Sequence, residues 1–131
     1  MAVYIGLGAD PIAILTTSVM AAPCGLYLSK LLMPETEPAD SLLVVEVVTP
    51  AGNTSSYPPH KHDTDRLPIE TRHDETYNFR FRPNHGFGLQ LVQREDGKVG
   101  DAYHLMDGST VVLDKGYHPC VAAPGYEMYY F

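Results

Sequence analysis

Basic residues are scarce in this chain: nine lysines and arginines stand against 16 aspartates and glutamates, for a formal net charge of −7. Phosphate recognition needs a basic surface, so this balance excludes a nucleic-acid partner. It also disfavours adhesion to anionic membranes. Cysteine is nearly absent. Cys24 and Cys120 are the only two, too few for a disulfide framework, and both are read as free, partly buried thiols. Long apolar runs are missing as well. Ile12 to Pro23 is largely apolar, but Asp10 precedes it and no Lys or Arg comes before Lys30. A signal peptide opens on a basic segment, and a membrane-spanning helix takes about 20 apolar residues. Neither condition is met, so the expectation is a cytoplasmic protein with no membrane contact. Repeats and low-complexity runs are also lacking.

What is present suits one β-rich domain. A chain of 131 residues, 44% of them hydrophobic, can bury a self-supporting core. The 11 glycines and 11 prolines are spread throughout, the punctuation of many short strands. Ala13 to Ala22 and Leu26 to Met33 are ambiguous between helix and strand, and Pro34 to Asp40 reads as an exposed connector. From Leu42 the strand signal sharpens. Leu42 to Val48 is a β-branched run that ends in Thr49-Pro50-Ala51-Gly52. Glu75 to Arg82 alternates, with Glu75, Tyr77, Phe79 and Phe81 sharing one face. Phe87 to Gln93 places Phe87, Leu89 and Leu91 together. Ser109 to Leu113 and Tyr126 to Phe131 complete the set, with turns at Glu95-Asp96-Gly97, Asp107-Gly108 and Asp114-Lys115-Gly116. This spacing predicts an antiparallel sandwich or barrel.

His60 and His62 flank a single residue, so in a strand both imidazoles reach the same side. Glu75 heads the apolar face of the next alternating strand, where a carboxylate is costly unless something neutralises it. His118 follows a glycine turn that can present it to the same pocket. Three imidazoles and a carboxylate form a mixed nitrogen–oxygen donor set that suits one divalent ion: zinc, manganese, iron or nickel. His73, His85 and His104 are read as surface or turn residues, with His104 the substitute ligand should His118 fail.

The segment Ser55-Ser56-Tyr57-Pro58-Pro59-His60-Lys61-His62-Asp63-Thr64-Asp65 resembles the hallmark of the 5-deoxy-glucuronate isomerases, cupin enzymes of inositol catabolism. The likeness continues in Glu75-Thr76-Tyr77, Gly86-Phe87-Gly88-Leu89-Gln90, Gly116-Tyr117-His118-Pro119 and Pro124-Gly125-Tyr126, and runs from about Glu37 to the end. It implies an all-β cupin barrel, a double-stranded β-helix or jelly roll, with His60, His62, Glu75 and His118 as metal ligands. Members of that family carry two cupin halves, and only the second is clear here. Residues 37–131 are therefore expected to form the metal-binding cupin domain, and residues 1–36 to resemble the closing strands of the first half. Asp114 stands where the family usually has a proline.

The implied reaction is an aldose–ketose isomerisation of 5-deoxy-glucuronate, a deoxy-uronic acid, to 2-deoxy-5-keto-gluconate. Tyr77 and Tyr117 are the candidates for orienting hydroxyls. Lys61, Arg80 and Lys115 are the candidate cations for the substrate carboxylate, although alternation turns Lys61 and Arg80 away from the pocket. The alternative is a metal- and sugar-acid-binding cupin without catalysis. A half-length chain exposes surface that relatives bury between halves, so a homodimer is expected.

Overall fold

The computed structural model describes residues 17–21, 26–32 and 44–131, apart from Tyr57 and Gly97; the first two segments enter through their backbone pairing. Ten strands carry these residues: β1 (Thr17–Ala21), β2 (Leu26–Leu32), β3 (Val44–Thr49), β4 (Thr54–Ser55), β5 (Glu75–Arg82), β6 (Phe87–Val92), β7 (Asp101–Met106), β8 (Thr110–Leu113), β9 (Cys120–Ala122) and β10 (Glu127–Tyr130). Among the described residues there is no helix, and so none long and apolar enough to cross a membrane. Both ambiguous N-terminal stretches contain strands. Cys24, the connector from Pro34 to Asp40 and the expected boundary at residue 36 lie outside the described residues.

The strands form two antiparallel sheets, one ordered β1-β2-β3-β10-β5-β8 and the other β4-β9-β6-β7. From β3 onward the chain changes sheet at almost every connection. That alternation wraps the two layers around a common interior, the arrangement of a jelly roll. β10 sits between β3 and β5, with Met128 opposite both Thr49 and Phe81, and Tyr130 opposite both Val47 and Phe79. The core follows from the alternation of β5. Glu75, Tyr77, Phe79 and Phe81 are buried while the intervening residues are not, and the two phenylalanines pack with Leu105, Met128 and Tyr130.

β6 shows what periodicity leaves open. Phe87, Leu89 and Leu91 do share a face, but it is the outer one: Phe87 and Leu89 are exposed, whereas Gly88 and Gln90 are buried. The interior beside Gly88 is already full. A Cβ there would stand 2.6 Å from the Val121 carbonyl oxygen and 3.2 Å from both Met128 Sδ and Phe81 Cζ. β4, β7 and β9 carry no clear alternation in the sequence. β7 is exposed except at Leu105, and β4 has only two residues.

Candidate metal centre

His60 and His62 do not lie in a strand; the described residues around them are irregular chain. Their convergence has another origin. The His62 C=O accepts the His73 N–H at 3.1 Å, and His62 Nδ1 donates to the His73 C=O at 2.9 Å. The second of these hydrogen bonds fixes the His62 ring, and the His73 ring stacks on it at 3.9 Å between centroids. His118 is held in a similar way, with Nδ1 donating to the Gly116 C=O at 2.8 Å. Gly116 has φ +81°, and a Cβ there would meet Val92 Cγ1 at 2.9 Å, so the turn that presents His118 requires glycine. Gln90, fully buried, adds a donor to the His118 C=O at 2.9 Å.

Glu75, at the head of β5, is completely buried. Its Oε2 lies 2.9 Å from His62 Nε2 and 3.1 Å from His118 Nε2. The His60 ring stands 4.6 Å from that of His118, and the ligand-capable nitrogens of His60, His62 and His118 all lie within 4.8 Å of one another. His60 is the most accessible of the three.

Charge follows this geometry. Burial disfavours an ionised Glu75, but the contacts with His118 and His62 outweigh it and hold the carboxyl well below the usual carboxylate range. Burial also works against a charged His62, and the bond to Glu75 reverses the direction and raises its pKa. Removal from water lowers His60 to about 4. Beneath the rings, burial pushes the phenols of Tyr77 and Tyr130 far above their ordinary value, so both stay protonated and act as donors at neutral pH.

The donor set fits a divalent cation. With each Nδ1–H donated to a carbonyl, neutral His62 and His118 turn bare Nε2 lone pairs toward the same carboxylate oxygen. Lone pairs facing a carboxylate at hydrogen-bond distance repel unless a proton or a cation lies between them. The carbonyl anchors are the contacts that orient metal-ligating histidines. Atoms bonded at roughly 2.1 Å to one ion stand about 3.0 Å apart when their bonds are perpendicular, close to the spacing of Glu75 from His62 and His118.

The other predicted residues lie elsewhere. Tyr77 is buried, its ring tilted at 67° to that of His118 with 6.3 Å between centroids, and its hydroxyl lies 3.5 Å from Ser56 Oγ. Ser56 also approaches the Tyr130 hydroxyl at 3.4 Å, from a left-handed backbone at φ 52°. Tyr117 lines a recess of about 600 Å³ with Pro59, Gln93, Arg94 and Glu95. Lys61 Nζ is enclosed by the carboxylates of Asp63 (2.6 Å), Glu70 (3.0 Å) and Glu95 (3.2 Å). Arg80 is exposed and donates to the Phe79 C=O. Lys115 lines a groove of about 530 Å³ along β7 and β8, as does His104. His104 is exposed and packs on Phe87, so it stands on the outer face and not among the clustered rings. Cys120 is buried, its thiol 2.9 Å from Gln90 Oε1.

A family model described as KduI/IolB matches residues 24–131. The chain belongs to the KduI/IolB family. A 5-deoxy-glucuronate isomerase of Geobacillus kaustophilus (strain HTA426) is 54% identical over 99 residues, which cover 76% of this chain and 36% of that protein. The chain thus spans little more than a third of the length of the curated KduI/IolB relatives it matches. An IolB-like protein of Salmonella typhimurium LT2 superposes with a TM-score of 0.83 at 39% identity, over 95% of this chain and 49% of that one. The cupin domain of Drosophila melanogaster CENP-C matches at a TM-score of 0.51 with 9% identity, over 95% of this chain and 84% of that chain; that likeness is one of fold alone. The all-β cupin architecture of this KduI/IolB chain is established.

Proposed function

We propose that His60, His62, Glu75 and His118 hold one divalent metal ion, and that this chain is the metal-bearing cupin of an aldose–ketose isomerase acting on 5-deoxy-glucuronate. One observation carries the reading: Glu75, fully buried, lies within 3.1 Å of two histidine nitrogens whose other ring nitrogens are committed to carbonyls. The names of the matching relatives supply the substrate and reaction class. The division into residues 1–36 and a metal-binding unit over residues 37–131 belongs to this reading.

Isomerisation to 2-deoxy-5-keto-gluconate moves a proton between neighbouring carbons while carbonyl and hydroxyl exchange places. A divalent ion in the site supplies Lewis acidity toward those oxygens. Glu75 and the three rings are occupied as ligands. Tyr77 serves as a hydrogen-bond donor, because its phenol stays protonated, and Tyr117 orients substrate from the recess at the rim. Lys115, exposed in the turn before His118, is the cation we assign to the substrate carboxylate. Lys61 is taken up by three carboxylates and Arg80 by a backbone carbonyl, so both support structure in this scheme. The ion's identity among zinc, manganese, iron and nickel is left to elemental analysis of the purified protein.

The test compares metal content and turnover of 5-deoxy-glucuronate in the parent and in a His60→Ala, His62→Ala variant, with a full-length relative as reference. Parent protein that carries metal and converts substrate supports the proposal. Metal-free parent protein, or no turnover where the relative is active, sinks it. A second reading is a cupin that binds sugar acid without converting it; calorimetric binding without conversion identifies it. We also propose a homodimer, because the outer face of β6 and β7 exposes Phe87, Leu89 and Met106. A single monomeric species in light scattering at high concentration rules that out.

A further inference from the structure

The imidazoles come from two stretches of chain, residues 60–62 and residue 118. β4 pairs with β9 at Ser55 and Cys120, and Tyr117 pairs with Gln93, but neither pairing joins residues 60–62 to the turn that carries His118. Something else must set the distance between them. The carboxylate of Asp63 touches both. Its Oδ2 accepts the Gly116 N–H at 2.8 Å, and the Gly116 C=O in turn accepts His118 Nδ1–H at 2.8 Å. Its Oδ1 accepts Lys61 Nζ at 2.6 Å and the Thr64 hydroxyl at 2.9 Å.

We propose that Asp63 is a positioning residue, whose carboxylate clamps the Gly116–His118 turn to the His60–His62 stretch and so sets the spacing of the three imidazoles. The inference rests on the metal reading above and adds a determinant of affinity to it. Asp63 is suited to the task because it cannot swing. Its own N–H and that of Thr64 are both held by Glu70 Oε1 at 3.0 Å, and Glu70 also holds Lys61 and Arg66. The turn at the far end is equally stiff, since Gly116 sits against Val92 and Gln93. A rigid arm joined to a rigid turn transmits position, and outer contacts of this kind typically change metal affinity 10- to 100-fold.

The test uses cobalt(II), whose visible spectrum reports coordination, on the whole chain carrying Asp63→Ala, Asp63→Asn or Glu70→Gln. Asp63→Ala is expected to weaken cobalt binding about 10- to 100-fold and to alter the spectrum. Asp63→Asn recovers most of the affinity, because its amide oxygen still accepts from Gly116. Glu70→Gln, which loosens the loop but leaves the Asp63–Gly116 bond in place, loses less affinity than Asp63→Ala. Asp63→Ser, too short to reach Gly116, replaces the alanine variant if that variant does not fold. Parent-like affinity and spectrum in Asp63→Ala, or an equal loss in Glu70→Gln, overturns the clamp. Should the parent itself bind no cobalt, the metal reading fails, and the metal-free proteins decide the clamp. Exchange protection of the Gly116 amide and the His118 ring signals must then change more in Asp63→Ala than in Glu70→Gln; if they do not, the clamp is wrong.

Discussion

Replacing Glu75 by Gln separates metal binding from fold stability, because the two should move in opposite directions. In the metal-free protein the carboxylate is buried without solvent contact between two imidazoles. Removing one partner of a buried ion pair costs about 3–5 kcal/mol where it strands the other charge; the imidazoles can stay neutral beside a neutral side chain, so no charge is stranded here. A glutamine NH2 can donate to an Nε2 lone pair, which a carboxylate cannot do. We expect metal-free Glu75→Gln to match the parent or exceed it by about 1 kcal/mol, a rise of roughly 3–4 °C in Tm for a chain of this size. Metal affinity falls, since an anionic ligand is lost; the decrease should exceed the roughly 100-fold that outer contacts command. At a metal concentration 100 times the parent's Kd, binding stabilises the parent by about 2.7 kcal/mol and the variant by only about 0.4 kcal/mol. Calorimetric melting with and without metal reads all four states. The reasoning is refuted if Glu75→Gln lowers the metal-free Tm by more than about 8 °C, equivalent to roughly 2 kcal/mol, or keeps the parent's metal-induced shift.

Other outcomes follow from the same contacts. Gly88→Ala should destabilise the fold by about 1–3 kcal/mol through overpacking, because the added Cβ meets a backbone oxygen at 2.6 Å; denaturant titration should show a lower midpoint at constant slope. His60, lowered to about 4 by removal from water, binds fewer protons in the native than in the unfolded chain between pH 6.5 and 4. Metal-free stability should therefore fall as pH falls through that window, and His60→Gln should flatten the decline in melts at stepped pH. Glu70 is held to about 2 by hydrogen bonds from Arg66 and Lys61. Its contribution is complete above its unfolded pKa of about 4.5 and is lost as pH falls toward 2. Amide protection at Thr64 should persist below pH 4.5 and disappear only as pH approaches 2, and Glu70→Gln should lack that acid step.

The sequence revealed most where side chains do the work locally. β5 reads correctly from Glu75 to Arg82 because its inner residues are large, apolar and strictly alternating. The outer placement of Phe87 and Leu89 was hidden, because periodicity groups residues without saying which group faces in; Phe81 and Met128 from the other sheet decide that. His62 is aimed without a strand, through the backbone carbonyl of His73, a residue that sequence reading assigned to the surface or a turn. Asp63 and Gln90 escaped notice for a related reason. Their partners, Gly116 and His118, are contacted through backbone atoms, which every residue has, so no residue pattern marks them. Asp63 left only a weak trace, its position directly after the His-Lys-His motif.

The seat of β10 has a consequence for how the sheet comes into being. The strand is wedged between β3 and β5, so β5, which β8 flanks from Glu75 to Asn78, gains its partner over Phe79–Arg82 only after the segment from Glu127 to Tyr130 has threaded back beside residues laid down far upstream. Assembly of this kind depends on distant pairings and runs slowly compared with locally wired folds. Completion of the six-stranded sheet is thus a late product of folding, and trimming residues 127–131 would remove a central plank of the sheet instead of its fringe.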